Sequence, residues 1–174
     1  MRASPRANSG LLASRTTDKC LVVRKPMSSP NYDDPAIEEQ WCNERRAAVA
    51  TYLKHEGVNH GRIGEWPAWH IAPYVSIWAI ESAKRPDWVG WWVICGDLPT
   101  DYVSAETIKH PREAMRSISE RWLDVSGYME RGEKHPSINL GSPESWPQLG
   151  PLLKSRAQVL AKWVKDENVW EEPA

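Results

Sequence analysis

The 174-residue sequence predicts an α+β domain in which a small antiparallel sheet packs with about three helices. Two observations favour this class. Apolar residues recur at spacings of three and four in segments near 35–56, 111–131 and 143–165, which is the period of a helix packed on one side. Two runs rich in β-branched and aromatic residues, about 74–82 and 88–96, are joined by a polar connection of hairpin length.

The first helix has the clearest start. Asp34 can cap the free N–H groups, Pro35 has the fixed φ of a first helical residue, and Glu38 meets the positive end of the helix dipole. Gly57 supplies a C-terminal stop. The apolar face consists of Ile37, Trp41, Ala48, Val49, Tyr52 and Leu53.

The two strand-like runs are apolar on both alternating faces, so we expect a central antiparallel pair covered by helices on both sides. Glycines and prolines interrupt residues 58–73, which predicts a loop. Residues 97–109 form a turn-rich exit in which Tyr102–Ser104 is a candidate third strand, and Ser137–Leu140 is a candidate edge strand.

Pro111 opens the second helix and Gly132 ends it. Its packing seam is Met115, Ile118, Trp122, Val125 and Met129. The third helical region starts at Ser142 and Pro143, with restarts expected at Pro147 or Pro151. Its apolar face is Leu149, Leu152, Leu153, Leu160, Trp163 and Val164.

The predicted domain spans residues 34–170, and residues 1–33 are predicted to be a disordered extension. Six basic side chains and one acidic side chain fall in residues 1–26, and the segment has no periodic apolar face. Met27, just before the first helix signal, is an alternative translation start. A targeting segment is the weaker alternative.

Charge and cysteine content limit the classes of partner. The whole chain carries 22 basic and 23 acidic residues, so the part after residue 26 is acidic and does not suit nucleic acid. We expect no membrane span, because no apolar run is long enough. Cys20, Cys42 and Cys95 are odd in number and far apart, which favours a reducing cytoplasm over a disulfide framework or a thiolate zinc site.

Three word patterns carry a family resemblance. They are Trp-Pro-Ala-Trp-His at 66–70, Gly-Asp-Leu-Pro-Thr-Asp-Tyr at 96–102 and the Lys-His-Pro-Arg-Glu-Ala-Met helix start at 109–115. The chain resembles a bacterial family known as domain of unknown function 4826, from about Ile37 to Trp170. The resemblance implies one compact domain in a bacterial cytoplasm, with the first 26 residues outside it, and brings no activity, cofactor or catalytic set.

Asp97, Asp101 and His110 are the candidate catalytic residues. They follow a strand that is expected to be buried, and two carboxylates beside an imidazole could divide acid and base roles or hold a divalent ion. The competing interpretation is a turn in which both Asp side chains accept local backbone N–H groups, and it is the preferred one.

A metal site is not predicted, and neither is a cofactor. His60, Glu65 and His70 are spaced five apart, which matches no compact zinc motif, so His70 is expected to be a packed, hydrogen-bonded imidazole. Cys95 lies in an apolar strand, where we expect an inert thiol with a raised pKa.

The eleven tryptophans divide into core and candidate binding residues. Trp41, Trp78, Trp122 and Trp163 fall on faces expected to be buried. Trp66 and Trp69, with Trp91 or Trp92, could line a groove or fold down as a lid. The predicted binding residues are Trp66, Trp69, His70, Tyr102 and Arg112.

A helix start with Lys109, His110, Arg112 and Arg116 could hold an anion, although a solvated helix face is preferred. The leading hypothesis is therefore a non-enzymatic binding or interaction module, of a partner-binding or toxin-neutralising type, with a protein partner or a small ligand. A small hydrolase or metal-assisted enzyme using Asp97, Asp101 and His110 is the alternative. A sensor pocket for a small ligand is the third option.

Overall fold

The protein is described by a computed structural model over residues 29–171. The strands are β1 (His60–Ile63), β2 (Trp69–Ile71), β3 (Val75–Ser82), β4 (Val89–Gly96) and β5 (Leu98–Ser104). The helices are α1 (Pro35–His55), α2 (Pro111–Glu130) and α3 (Trp146–Lys165), followed by a short 3₁₀ helix, Glu167–Val169. All strand pairs are antiparallel in the order β1-β3-β4-β5, and β2 also pairs with β3. The predicted α+β class is confirmed.

The central hairpin of β3 and β4 is also confirmed. Its register sets Ile77 opposite Ile94 on one face and Trp78 opposite Val93 on the other. The first face packs under α2 and α3, and the second packs under α1. Helices therefore cover both faces of the pair, as apolar residues on both alternating faces predict.

Helices α1 and α2 follow their predicted signals. The Asp34 side chain accepts a hydrogen bond from the N–H of Ala36 at 2.9 Å, and α1 ends just before Gly57, whose φ is +67°. In α2 the predicted seam is buried along its whole length, with every member at most 4% exposed. The seam consists of Met115, Ile118, Trp122, Val125 and Met129.

The prediction of a loop over residues 58–73 is wrong. The segment holds β1 and β2, which both pair with β3 on the side away from β4. Both strands are short and lie beside glycine and proline, so they have no strand period of their own to detect. Arg46 of α1 ties β1 in place by donating to the carbonyl oxygens of Gly64 at 2.8 Å and Ile63 at 3.1 Å.

Two predictions about the remaining strands need correction. The third strand begins at Leu98 rather than Tyr102, because a bulge beside Gly96 lets the chain pair with β4 at once. Ser137–Leu140 does not form an edge strand. Its backbone instead forms hydrogen bonds with nearby side chains. His135 Nδ1 accepts from the N–H of Ile138, and the Leu140 carbonyl accepts from Trp146 Nε1.

Helix α3 begins at Trp146, three residues later than predicted, and continues through Pro151 without a restart. Its predicted apolar face divides in two. Leu153, Leu160 and Val164 are buried in the core, whereas Leu149 is 36% and Leu152 is 63% exposed. The core therefore buries only one side of the wide apolar face of α3, and the other side remains exposed to solvent.

In residues 29–171 no helix is both long and apolar enough to cross a membrane. The prediction of a disordered extension over 1–33, with Met27 as an alternative start, falls mostly outside these residues. Within them, Tyr32 packs edge-on against Trp41 of α1, with ring centroids 6.5 Å apart.

Candidate functional site

Strand β2 sends the predicted binding residues Trp69 and His70 to opposite faces of the sheet, because successive side chains of a strand alternate. Trp69 packs with the apolar cluster under α2 and α3. His70 contacts α1, where its Nε2 lies 2.7 Å from Glu38 Oε1 and its ring 6.1 Å from that of Trp41. Trp66 lies on the His70 side, with ring centroids 5.7 Å apart. Trp66 and Trp69 therefore do not line one groove.

Trp69 belongs to a cluster that fastens the 3₁₀ helix to the sheet. Its Nε1 donates to the carbonyl oxygen of Val169 at 2.7 Å, and its ring stacks on Trp170 at a centroid distance of 4.4 Å. The His110 ring lies 5.9 Å and the Arg112 guanidinium 5.8 Å from the Trp170 ring. Three residues predicted for catalysis or binding thus gather around one indole, Trp170, that no sequence pattern singled out.

The polar groups of Arg112 and His110 are used within this cluster. Arg112 forms two hydrogen bonds to the Glu167 carboxylate, at 2.7 and 2.6 Å, and a third to the Val164 carbonyl at 2.8 Å. This pairing raises the pKa of Arg112 and lowers that of Glu167. His110 Nδ1 accepts from the N–H of Arg112 and so caps α2. The Arg112 side chain at the start of α2 is therefore already paired within the protein, with Glu167.

The two imidazoles whose spacing does not predict a metal site, His60 and His70, have separate partners. His70 is the packed, hydrogen-bonded ring that the sequence predicts, with its side chain 17% exposed. His60 Nδ1 instead lies 2.7 Å from the carbonyl oxygen of Gly61. Within residues 29–171 no three His, Cys, Asp or Glu side chains are arranged to hold a metal ion.

Asp97, Asp101 and His110 have different partners. The exposed Asp97 carboxylate lies 3.3 Å from Arg156 of α3, whereas Asp101, in β5, pairs with Arg121 of α2 at 2.7 Å. No hydrogen bond joins any two of the three candidates in the described part of the chain. The hydrolase alternative remains a prediction with no contact in its favour.

The thiols are buried. Cys42 and Cys95 are each 1% exposed, and burial raises the pKa of Cys42 to about 11. Burial also raises the pKa of Cys95, although a contact of 3.3 Å with Ser76 Oγ works in the opposite direction. Cys95 is therefore buried with a raised pKa, as its place in an apolar strand predicts.

An open groove of about 880 Å³ runs along the outer edge of β5. Residues 99–104 form its floor, because β5 is the last strand of the sheet and pairs only with β4. The C-terminal end of α1 forms one wall, and α2 with residues 137–140 forms the other. The groove brings together the predicted residues Asp101 and Tyr102 with others that the sequence did not indicate.

The backbone of β5 alternates between β4 and the groove. The N–H of Ala105 donates to the Gly90 carbonyl at 2.9 Å, which fixes this alternation for the antiparallel pair. Tyr102 and Ser104 therefore turn their N–H and C=O groups outward, whereas the register shift beside Gly96 ends this alternation before Thr100. Within residues 29–171 the outward backbone groups of Ser104 make no hydrogen bond.

At the middle of this edge, the backbone N–H and C=O groups of Tyr102 are hydrogen-bonded to side chains. Its N–H donates to Asp101 Oδ1 at 2.8 Å, and its carbonyl oxygen accepts from Arg121 Nη2 at 2.9 Å. Trp122 Nε1 donates to Asp101 Oδ2 at 2.7 Å. The sequence indicated Asp101 and Tyr102 but missed Arg121, which precedes the seam residue Trp122 and carries no periodic signal.

The α1 side of the groove is aromatic. The Tyr102 ring lies 6.1 Å from that of Tyr52 and 5.5 Å from that of Trp91. Burial, together with the nearby Asp101 and Glu56 carboxylates, raises the pKa of Tyr52. Its hydroxyl therefore stays protonated at neutral pH and is available as a hydrogen-bond donor.

These features define a class of protein, an α+β domain whose antiparallel sheet has helices on both faces and an open groove along one edge strand. The chain belongs to the family described as Domain of unknown function (DUF4826), which it matches over residues 35–170. No curated protein and no solved structure matches the chain.

Proposed function

We propose that this protein is a non-enzymatic binding module that holds an extended, uncharged segment of a partner protein in the groove along β5. The observation that carries this proposal is the free outer edge at Ser104, the end of β5 that lies away from the bulge. An unpaired strand edge is a template for another strand, and main-chain hydrogen bonds to such an edge supply affinity in many peptide-binding domains.

Arg121 supports a specific mode of recognition. Its Nη2 is used by Tyr102 and Asp101, and within residues 29–171 its Nη1 and Nε make no hydrogen bond. A guanidinium has five N–H donors, so these nitrogens remain for carbonyl oxygens of a ligand. A segment in the groove would hydrogen-bond to the backbone of Ser104 and accept from Arg121 beside it.

The walls support an uncharged ligand. Tyr52, Trp91 and Tyr102 offer rings with polar tips, which suit the apolar side chains and the amides of a peptide. The Asp101 and Arg121 charges neutralise each other at 2.7 Å. A charged side chain placed at this pair would meet both signs at once, whereas a neutral one keeps the pair intact.

Selection of a phage-displayed random peptide library on the full chain tests the proposal, followed by fluorescence polarisation with the selected peptides. Ser104→Pro removes the outward N–H without touching the β4 ladder, and proline is tolerated on edge strands. We expect binding to weaken at least about tenfold, the loss of roughly 1.4 kcal/mol. Ser104→Ala keeps the N–H and is the matched control, expected to bind within about twofold of the unmodified chain.

The proposal fails if no peptide is selected, or if Ser104→Pro and Ser104→Ala bind equally well. Amide hydrogen exchange gives an independent readout. Bound peptide should slow exchange at Ser104, which faces the groove, and leave Val103, which faces β4, unchanged.

A further inference from the structure

Beside its buried stripe, helix α3 carries a second stripe that is apolar except for Arg156, and of this stripe only Trp163 also packs against the core cluster. Its members follow spacings of three and four, the pattern of a helix seam that packs against another helix. They are Leu149, Leu152, Arg156, Val159 and Trp163. The buried stripe lies beside it and includes Leu153, Leu160 and Val164.

The three aliphatic members of the second stripe are open to solvent. Leu149 is 36%, Leu152 is 63% and Val159 is 37% exposed. Contiguous exposed apolar surface of this kind marks an interaction site in a folded protein. The stripe does not border the partner-binding floor of β5, so the inference does not depend on the function proposed above.

A cavity of about 280 Å³ adjoins one end of the stripe. It lies between Val159 and Trp163 of α3, Tyr74 of the β2–β3 turn and Leu98 of β5. The most exposed leucine, Leu152, lies toward the other end. A recess at one end and a protruding side chain at the other are complementary when two copies meet head to tail.

We propose that α3 packs against α3 of a second copy of this chain, antiparallel around a two-fold axis at Arg156. Residue 156 is the midpoint of the stripe, so this symmetry sets Leu149 opposite Trp163 of the second copy and Leu152 within one residue of its Val159. Each protruding leucine then enters the recess of the other copy. A two-fold interface uses the same patch on both copies, as this one does.

The charges at the axis are self-complementary. Arg156 Nη2 lies 3.3 Å from Asp97 Oδ2, and both residues border the recess. Two copies bring two guanidinium and two carboxylate groups together, with no net charge. The like charges of the two Arg156 side chains are offset by the two Asp97 carboxylates, which either copy can share.

Sedimentation equilibrium of the full chain tests the association. We expect the apparent mass to rise toward twice the monomer mass as concentration increases. Leu152→Asp, at a site already 63% exposed, should remain monomeric at the same concentrations. Trp88→Asp is the matched control, because Trp88 is 57% exposed on the β3–β4 connection and should dimerise like the unmodified chain. Circular dichroism checks that each variant is folded.

A monomeric unmodified chain at about 1 mM, where association is worth only about 4 kcal/mol, would overturn the proposal. Dimerisation of Leu152→Asp to the same extent as the unmodified chain would overturn it as well.

Cysteine cross-linking tests the register. In a Cys20→Ser background, Arg156→Cys should join to itself through a short bismaleimide, because the axis passes between the two copies of residue 156. Leu149→Cys should not, since its two copies lie about 21 Å apart along antiparallel helices. Cys42 and Cys95 are buried and do not compete. Self-linking at position 149, or its absence at position 156, contradicts the antiparallel dimer.

Discussion

The two faces of the sheet are built differently. On one face, α2 and α3 together bury an apolar cluster that includes Ile118 and Leu160. On the other face α1 alone covers a smaller cluster, to which it contributes Val49 and Leu53. The first half of α1 buries Trp41 and Cys42 and is also held by polar contacts, among them Arg46 with the end of β1.

The two faces are therefore stabilised by different interactions. Apolar burial gains roughly 25 cal/mol per Å², so the two-helix face carries most of the hydrophobic stabilisation. Exposed hydrogen bonds and ion pairs contribute about 1 kcal/mol or less each. We therefore expect α1 and the short strands β1 and β2 to open before the remainder of the fold.

The same substitution on both faces gives the largest expected effects. Leu160 and Leu53 are each fully buried, so either leucine changed to alanine should lower the free energy of unfolding by about 2–5 kcal/mol. Leu160→Ala should fall near the upper end, because two packed helices cannot close the cavity. Leu53→Ala should fall near the lower end, because a single helix can shift toward the sheet. Equal losses in urea unfolding would contradict the asymmetry.

A polar pair on the α2 face should rank second. Asp101→Asn breaks the 2.7 Å contact with Arg121, and the Asp101 side chain is only 23% exposed, so we expect a loss of about 1–3 kcal/mol. Asp97→Asn is the matched control, since Asp97 is 67% exposed and its contact with Arg156 should be worth less than about 1 kcal/mol. Urea unfolding of both variants measures the difference, which disappears if exposure does not matter.

Loss of the Arg46 hydrogen bonds on the α1 face should destabilise β1 locally. Arg46→Met keeps the length of the side chain and removes both hydrogen bonds to the end of β1, for a loss of about 1 kcal/mol. Native-state amide exchange should quicken in β1 and stay unchanged in β4. Faster exchange in both strands would mean that β1 does not open separately.

The smallest effect depends on pH. Glu81 accepts hydrogen bonds from Arg62 and from the backbone N–H of Asp87, and these lower its pKa from 4.5 to about 2. Its contribution to stability is therefore complete above pH 4.5 and is lost as the pH falls toward 2. In urea unfolding, Glu81→Gln should be less stable at pH 7 and approach the unmodified chain near pH 2. A constant difference across this range would show that Glu81 is not the group responsible.

Apolar periodicity was sufficient to predict the two-helix face and the hairpin. The seam from Met115 to Met129 and the doubly apolar β3 and β4 follow from single segments, and the sequence displays them directly. The α1 face is less predictable from the sequence. Its short strands β1 and β2 are held by pairing with β3 and by the contacts of Arg46 and His70. Contacts between distant residues leave no local period.

The groove was predictable only in part for the same reason. Asp101 and Tyr102 stood out as polar residues after a buried strand, but their importance comes from Arg121, 20 residues after Asp101 in the chain and on another element. The sequence singles out Trp69 and Arg112 for their chemistry, yet in the structure both side chains pack against Trp170. Composition identifies such side chains, and only the fold decides what they contact.

The contact between Trp69 and Val169 also orders events in time. The two residues are 100 positions apart, and ribosomes add about 5–20 residues per second. The Trp69 indole therefore exists for roughly 5–20 s before its acceptor is synthesised. During that interval β3 and β4 can already pair, while one side of β2 waits for the end of translation. A nascent chain of this protein can therefore pair β2 with β3 early, but it completes the packing of Trp69 on β2 only at the end of translation.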